Sequence, residues 1–200
     1  MIAVKGKFPK LTPEEYFVWE EKQFLRHEYL NGQVYAMGGG TQNHGRIASN
    51  IIFIVKGHLR GSGCQVGNSD CRVNIFETKD YVYPDVSVTC DERDRTASQA
   101  IKYPCLIVDI SASLNVKVLS PSTASYDRGD KFRLYRRNPS LQDYVLVDAE
   151  KIGIDLYRKN DRGNWEIFNY QSGDHIELRS IDLSFSIESV YEDIVFEELV

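Results

Sequence analysis

From Val66 to Ile110 the chain is a series of short β-branched runs separated by polar turns: Val66, Cys71 to Ile75, Val82 to Thr89 (VYPDVSVT) and Cys105 to Ile110 (CLIVDI). Such runs are too short for helices and too apolar for loops, so they read as strands of a largely buried sheet. Helical patterns bracket them. Thr12-Pro13-Glu14-Glu15 combines a capping threonine, a proline suited to the first helical position and a glutamate that completes a capping box. It predicts a helix running to about Phe24. Thr41 opens a second helix, with Ile47, Ile51, Ile54, Val55 and Leu59 at helical spacing up to Arg60. Ser122 or Thr123 caps a third, through about Arg137. Between the first two helices, two short extended runs meet at Asn31-Gly32, the preferred pair for a two-residue hairpin turn. Further strands are expected at Tyr144 to Val147, Ile152 to Tyr157, Trp165 to Tyr170 and His175 to Leu178, with a closing helical turn around Ile187 to Glu192.

This order of elements predicts a mixed α/β fold, a central mixed sheet flanked by helices. With 200 residues and no linker-like stretch, one domain is expected. It divides into an N-terminal helix and hairpin at 11–37, a core at about 41–158, and C-terminal strands with an acidic tail at 159–200. The 42% hydrophobic and 26% charged fractions exclude a disordered chain. No apolar run approaches the roughly 18–20 residues that cross a bilayer; the longest, Ile51 to Val55, stops at Lys56. The first ten residues lack the apolar core and cleavage site of a signal peptide, so a cytoplasmic protein with no membrane partner is expected.

Cysteine usage agrees with that expectation. Cys64, Cys71, Cys90 and Cys105 form no C-x-x-C pair, and three of the four lie in or beside apolar runs. They read as small buried hydrophobes, and neither a disulfide framework nor a cysteine zinc site is expected. Gly38-Gly39-Gly40 lacks the Lys-Ser/Thr of a phosphate loop and reads as a turn before a helix.

A net charge of −5 argues against nucleic-acid binding by bulk electrostatics. The charge is uneven, however. Tyr126 to Arg137 (YDRGDKFRLYRR) carries five bases against two acids, whereas Ile187 to Val200 is acidic with no base. One basic helix on an otherwise acidic body is the pattern expected.

The chemistry is sought first in acids embedded in apolar strands, because a buried carboxylate is costly without a partner. Asp85 sits inside VYPDVSV and Asp109 ends LIVDI. On neighbouring strands the two carboxylates would converge at one edge of the sheet, as oxygen ligands of a hard divalent cation do. The plainer readings are an acid following a strand-edge proline and a strand-end cap. Asp127 and Lys131 are four apart on the third helix, with Arg128, Arg133, Arg136 and Arg137 close by. That spacing is either a solvated ion pair or a lysine held beside the two carboxylates, with arginines available for a phosphate backbone.

HEYLNGQVYAM, the helix with Asn43-His44, YPDVSV, VLSPST at Val118 to Thr123, YDRGDKFRLYRR and LQDYVLVD together resemble the Uma-two family of restriction-endonuclease-like proteins. The resemblance runs from Leu11 to about Asp193. It implies a restriction-endonuclease-like fold of the PD-(D/E)XK nuclease superfamily, with acids and a lysine gathered at one sheet edge. It matches Asp85 to the PD aspartate and Lys131 to the lysine on the helix after the serine-proline motif. Glu28 and His44 match recurrent family positions, Glu28 as an auxiliary metal ligand or a partner of Arg26, His44 as a site residue or a group that packs the second helix.

The second acid departs from the family pattern, which usually reads apolar-apolar-Glu-Val-Leu-Ser-Pro. Here LIVDI is followed by SASLNVK before VLSPS resumes. Either Asp109 replaces the glutamate and eight residues, Ile110 to Lys117, are inserted behind it, or NVKVLSPS aligns directly and Lys117 occupies the acid position. The LIV before Asp109 favours the first account.

The implied activity is a metal-dependent endonuclease acting on DNA, with Asp85 and Asp109 holding Mg²⁺ or Mn²⁺ and Lys131 assisting. Arg128, Arg133 and Arg136 would contact phosphates, and a homodimer would pair two sites on a duplex. The competing reading is an inactive nuclease fold that binds DNA or a protein partner, disabled by the insertion. A hydrolase built on Ser120 or Ser122 with His44 lacks a nucleophile-elbow glycine pattern.

Overall fold

The computed structural model describes residues 3–4, 10–75, 79–111 and 131–196. The N-terminal part follows local signals closely. Helix α1 (Pro13–Glu20) starts with the predicted capping box: Thr12 Oγ1 accepts from the Glu15 amide, and Glu15 Oε2 accepts from the Thr12 amide. The helix ends earlier than the expected Phe24. The Glu20 carboxylate turns back to accept from the His27 main-chain amide (2.9 Å) and meets His27 Nδ1 (3.0 Å). That closes the chain into a turn and leaves Phe24 exposed. Strands β2 (His27–Leu30) and β3 (Gln33–Met37) then form the predicted hairpin. Asn31 and Gly32 both adopt positive φ, 49° and 78°, as the tight turn requires.

Helix α2 (Gln42–His58) is capped by Thr41. The next strands are β4 (Gln65–Asn68), β5 (Val73–Ile75), β6 (Asp80–Val82) and β7 (Val86–Thr89). The run expected as one strand over Val82 to Thr89 is therefore two. Pro84 offers no amide to a ladder, and at Tyr83-Pro84-Asp85 the chain leaves one sheet and enters another. With β1 (Ala3–Val4), the first sheet has the order β1-β3-β2-β6-β5.

The second sheet adds β8 (Leu106–Ser111), β9 (Asp143–Asp148), β10 (Ile154–Lys159) and β11 (Trp165–Tyr170), in the order β11-β10-β9-β8-β7-β4. It is mixed: β8 and β9 are parallel and the other pairs antiparallel. Strand β12 (His175–Leu178) pairs with β13 (Leu183–Ser186), a strand not anticipated, and the closing helical turn is a 3-10 turn at Ile187–Ser189. The third helix, α3, is described over Lys131–Tyr135. Its expected start at Ser122 or Thr123 lies outside the described residues.

Strand alternation sorts the second sheet's side chains. Leu106, Val108 and Ile110 of β8, with Val86 and Val88 of β7, pack under Ile47, Ile51 and Val55 of α2. Each such fully buried aliphatic side chain contributes about 1.5–3 kcal/mol. The opposite face presents Ile107, Tyr144 and Leu146 to Val73, Ile75 and Val82 of the first sheet and to Tyr135 of α3. Asp109 shares the parity of Ile107, so it belongs to this second interface. Among the described residues no helix is long and apolar enough to cross a membrane.

One cysteine expectation is corrected. Cys64 and Cys90 are joined by a disulfide, while Cys71 and Cys105 are free. Antiparallel pairing of β4 with β7 sets Gln65 opposite Thr89, which brings the residues just outside that pair, Cys64 and Cys90, face to face. A spacing of 26 residues carries no local sign of this register.

Candidate active site

Asp85 and Asp109 come together through strand pairing. Val86 of β7 lies opposite Val108 of β8, so one step further along the same register Asp85 faces Asp109. The two share a side of the sheet and both are buried. Asp85 Oδ2 accepts a hydrogen bond from the Ile110 main-chain amide at 2.7 Å, which locks the carboxylate against β8. β8 continues through Ser111 and keeps Asp109 in register with Leu146 of β9. Asp109 is thus an integral strand residue up to the point where residues 112–130 leave the described structure.

The break between β6 and β7 that delivers Asp85 is itself braced. Tyr83, two residues earlier, donates its hydroxyl to Glu20 Oε1 (3.3 Å) and accepts from Arg72 Nε (2.8 Å). The Arg72 guanidinium also lies against the rings of Tyr16, Phe17 and Tyr83.

Helix α3 presents Lys131 and Tyr135, four residues apart, inward on one face. Lys131 Nζ stands 3.7 Å from Asp109 Oδ2, and Tyr144 of β9 donates its hydroxyl to the same oxygen at 3.1 Å. Lys131 is therefore the lysine of the acid pair and not a partner of solvent. Its sequence neighbours Arg133 and Arg136 are exposed on the outer side of the helix, with Arg136 over the ring of Phe132. Arg128 and Asp127 lie outside the described residues, as do Ser120 and Ser122.

Glu28 and His44 also reach this cluster. Glu28 of β2 is 1% exposed, and Arg26, its expected hairpin partner, instead meets Asp70. Burial pushes its carboxyl above the ordinary value of 4.5, opposed by the Lys131 ammonium and reinforced by Asp109. His44 sits in the first turn of α2; its amide is capped by Thr41 Oγ1, and its ring Nε2 lies 3.1 Å from Asp85 Oδ1. Burial is the largest single influence and raises the Asp85 carboxyl, but the His44 contact and the surrounding positive charge, Lys131 included, together hold it below its ordinary value. The ring fits because position 40 is glycine. A Cβ there would stand 2.6 Å from His44 Nδ1.

Tyr135 and Tyr144 were not singled out from the sequence. Aromatic residues at helix and strand spacing read as core, and both rings do pack there, with centroids 5.4 Å apart. The available signal was position: Tyr135 follows Lys131 by one helical turn, and Tyr144 lies on the strand beside Asp109.

In chemistry, though not as a completed ligand set, these carboxylates are the oxygen donors that a hard divalent cation takes. Among the described residues, three buried acids, Glu28, Asp85 and Asp109, stand with one buried lysine, Lys131, and with His44 beside Asp85. Asp109 Oδ1 and both oxygens of Glu28 are buried without a well-aligned hydrogen-bond donor among the described residues, whereas Asp85 Oδ1 meets His44 Nε2. Among the described residues, no group of three His, Cys, Asp or Glu side chains is placed to hold a metal ion by itself. Mg²⁺ commonly takes one or two carboxylates and keeps several waters, so the open arrangement suits it.

The comparisons with known proteins agree with this architecture. A family model described as "Putative restriction endonuclease", Uma2, matches residues 13–188. An uncharacterized Synechocystis protein is 53% identical over 189 residues, covering 94% of this chain and 95% of that protein. A second uncharacterized Synechocystis protein is 31% identical over 157 residues, covering 78% of this chain and 84% of its own length. Among solved structures, a protein from Anabaena variabilis described as a putative nuclease superposes with a TM-score of 0.70 at 16% identity, covering 91% of this chain and 98% of that one. At that identity the likeness speaks to the fold, which is restriction-endonuclease-like. On the family match and the two relatives, the chain belongs to the Uma2 family of restriction-endonuclease-like proteins.

Proposed function

We propose that this protein is a divalent-metal-dependent endonuclease that hydrolyses phosphodiester bonds in DNA. The observation that carries the reading is the meeting of strand-paired Asp85 and Asp109 with Lys131, 3.7 Å from Asp109, with Asp109 Oδ1 left without a donor among the described residues. Family membership and the described activity of the structural neighbour support nuclease chemistry.

In this reading Asp85 and Asp109 hold Mg²⁺ or Mn²⁺, with Glu28 auxiliary. When bound, the cation lowers the pKa of a coordinated water and offsets charge on the phosphoryl oxygens. The protein's own groups do the rest. The Ile110 amide and His44 fix the Asp85 carboxylate in orientation. Tyr144 and Lys131 converge on Asp109 Oδ2, which leaves Oδ1 free to face the reacting centre. The Lys131 ammonium stabilises negative charge that builds as water oxygen bonds to phosphorus and the bond to the leaving oxygen breaks. Burial strengthens that interaction relative to water.

Arg133 and Arg136, with Arg128, would meet backbone phosphates, contacts that orient a duplex without reading its bases. A homodimer would set two such sites against the two strands.

The test is incubation of the purified protein with supercoiled DNA, linear DNA and RNA in Mg²⁺, Mn²⁺ or EDTA. The proposal expects nicking or linearisation of DNA with either metal and none in EDTA. DNA retained on the protein with no cleavage under any metal would replace it with the inactive binding module.

A further inference from the structure

We propose that Tyr135 is a positioning residue of this site, its hydroxyl donating a hydrogen bond to a water shared with the Asp109 and Glu28 carboxylates when a divalent cation is bound. The inference rests on the metal-dependent reading above and adds a residue to it.

Tyr135 is fully buried, and its hydroxyl has no hydrogen-bond partner among the described residues. A buried hydroxyl left unpaired is costly, and phenylalanine would fill the same volume without that cost. Tyr16, Tyr83, Tyr144 and Tyr191, also buried, all spend their hydroxyls on identified partners. Tyr135 differs from them in location. It follows Lys131 by one helical turn, its ring lies 5.4 Å from that of Tyr144, and the charges of Asp109, Glu28 and Asp85 all bear on it. Burial and those carboxylates hold the phenol far above its ordinary value. Its hydroxyl is a donor, whereas the orphaned carboxylate atoms of the cluster, Asp109 Oδ1 and the Glu28 oxygens, are acceptors. Acceptors that outnumber donors in a closed space are satisfied together by a cation and its waters, and a phenol is the donor that orders such a water.

The test compares thermal unfolding of wild type and Tyr135→Phe in EDTA and in Mg²⁺, with Tyr191→Phe as control because that hydroxyl is bound to Asp148 and Gly153 main-chain oxygens. In EDTA, Tyr135→Phe is expected to melt at the wild-type temperature or a few degrees above it. The rise caused by Mg²⁺ should be less than half that of wild type. Tyr191→Phe should melt lower in EDTA and keep the full Mg²⁺ rise. Tyr135→Phe melting well below wild type in EDTA would make the hydroxyl structural and overturn the proposal, as would equal Mg²⁺ rises in the two proteins, including no rise in either. DNA cleavage is scored separately. Cleavage by wild type with equal Mg²⁺ rises keeps the nuclease and removes Tyr135, whereas unequal rises without cleavage keep Tyr135 in a metal site and remove the nuclease. Where wild type cleaves, Tyr135→Phe should lower kcat about 10–100-fold with KM unchanged.

Discussion

His44 Nε2 lies 3.1 Å from Asp85 Oδ1, tying the first turn of α2 to the proline break between the two sheets. This contact depends on Gly40, because a methyl group there would press on the imidazole at 2.6 Å. Gly40→Ala should therefore act on the site through His44. We expect it to lower stability by about 1–3 kcal/mol through overpacking and to reduce DNA cleavage as far as His44→Ala does. Chemical denaturation and single-turnover cleavage measure the two effects.

Glu28 gives a pH signature. Its folded value lies above 4.5, so between 4.5 and that value the folded protein keeps a proton that the unfolded chain loses. Stability from this group falls as pH rises through that window. Glu28→Gln cannot ionise and should be more stable than wild type at neutral pH, by about 1.4 kcal/mol per pKa unit of displacement. The advantage should vanish below pH 4.5 in metal-free buffer. Asp85 has the opposite sign: its folded value is depressed, so its contribution is complete above 3.8 and is lost as pH falls through the lower value. Urea titrations across pH separate the two.

Lys131 is buried against Asp109 and cannot be a solvated surface pair. Lys131→Ala should reduce cleavage by about 10²–10³-fold, the usual cost of removing one preorganised charge-stabilising donor. Lys131→Arg should rescue little, since the planar guanidinium does not fit a site shaped for an ammonium. Rates at saturating DNA decide both.

The Cys64–Cys90 bridge clamps edge strand β4 to β7, at the end of β7 remote from Asp85. By loop entropy for a separation of 26 residues, replacing both cysteines with serine should cost about 3 kcal/mol. For a chain of this size that is a fall in Tm of about 6–12 °C. Calorimetry under oxidising and reducing conditions checks it, since reduced wild type should melt like the variant.

What could be read beforehand followed local physics. The Thr12 capping box and the Asn31-Gly32 turn are chemistry of adjacent residues, and both form as expected. Asp85 and Asp109 were visible because a charge inside an apolar strand is conspicuous. What escaped was set by pairing at long range. Nothing in VYPDVSVT says that its two halves join different sheets, nor that Cys64 meets Cys90 across a register. Tyr144 was hidden by its packing, since an aromatic ring in a core looks the same whether or not its hydroxyl meets an acid, as this one meets Asp109. The resemblance supplied Glu28 and His44, and the structure brings both to the acid pair.

Asp109 is the acid at which the chain departs from the family's usual spacing, so metal-dependent cleavage stands or falls with it. The direct measurement is plasmid cleavage in Mg²⁺ by wild type and Asp109→Asn, with both proteins shown to be folded by circular dichroism. Wild type should show metal-dependent cleavage, and the variant a loss of at least 10²-fold. Equal cleavage by the two proteins, or none by wild type, would contradict this.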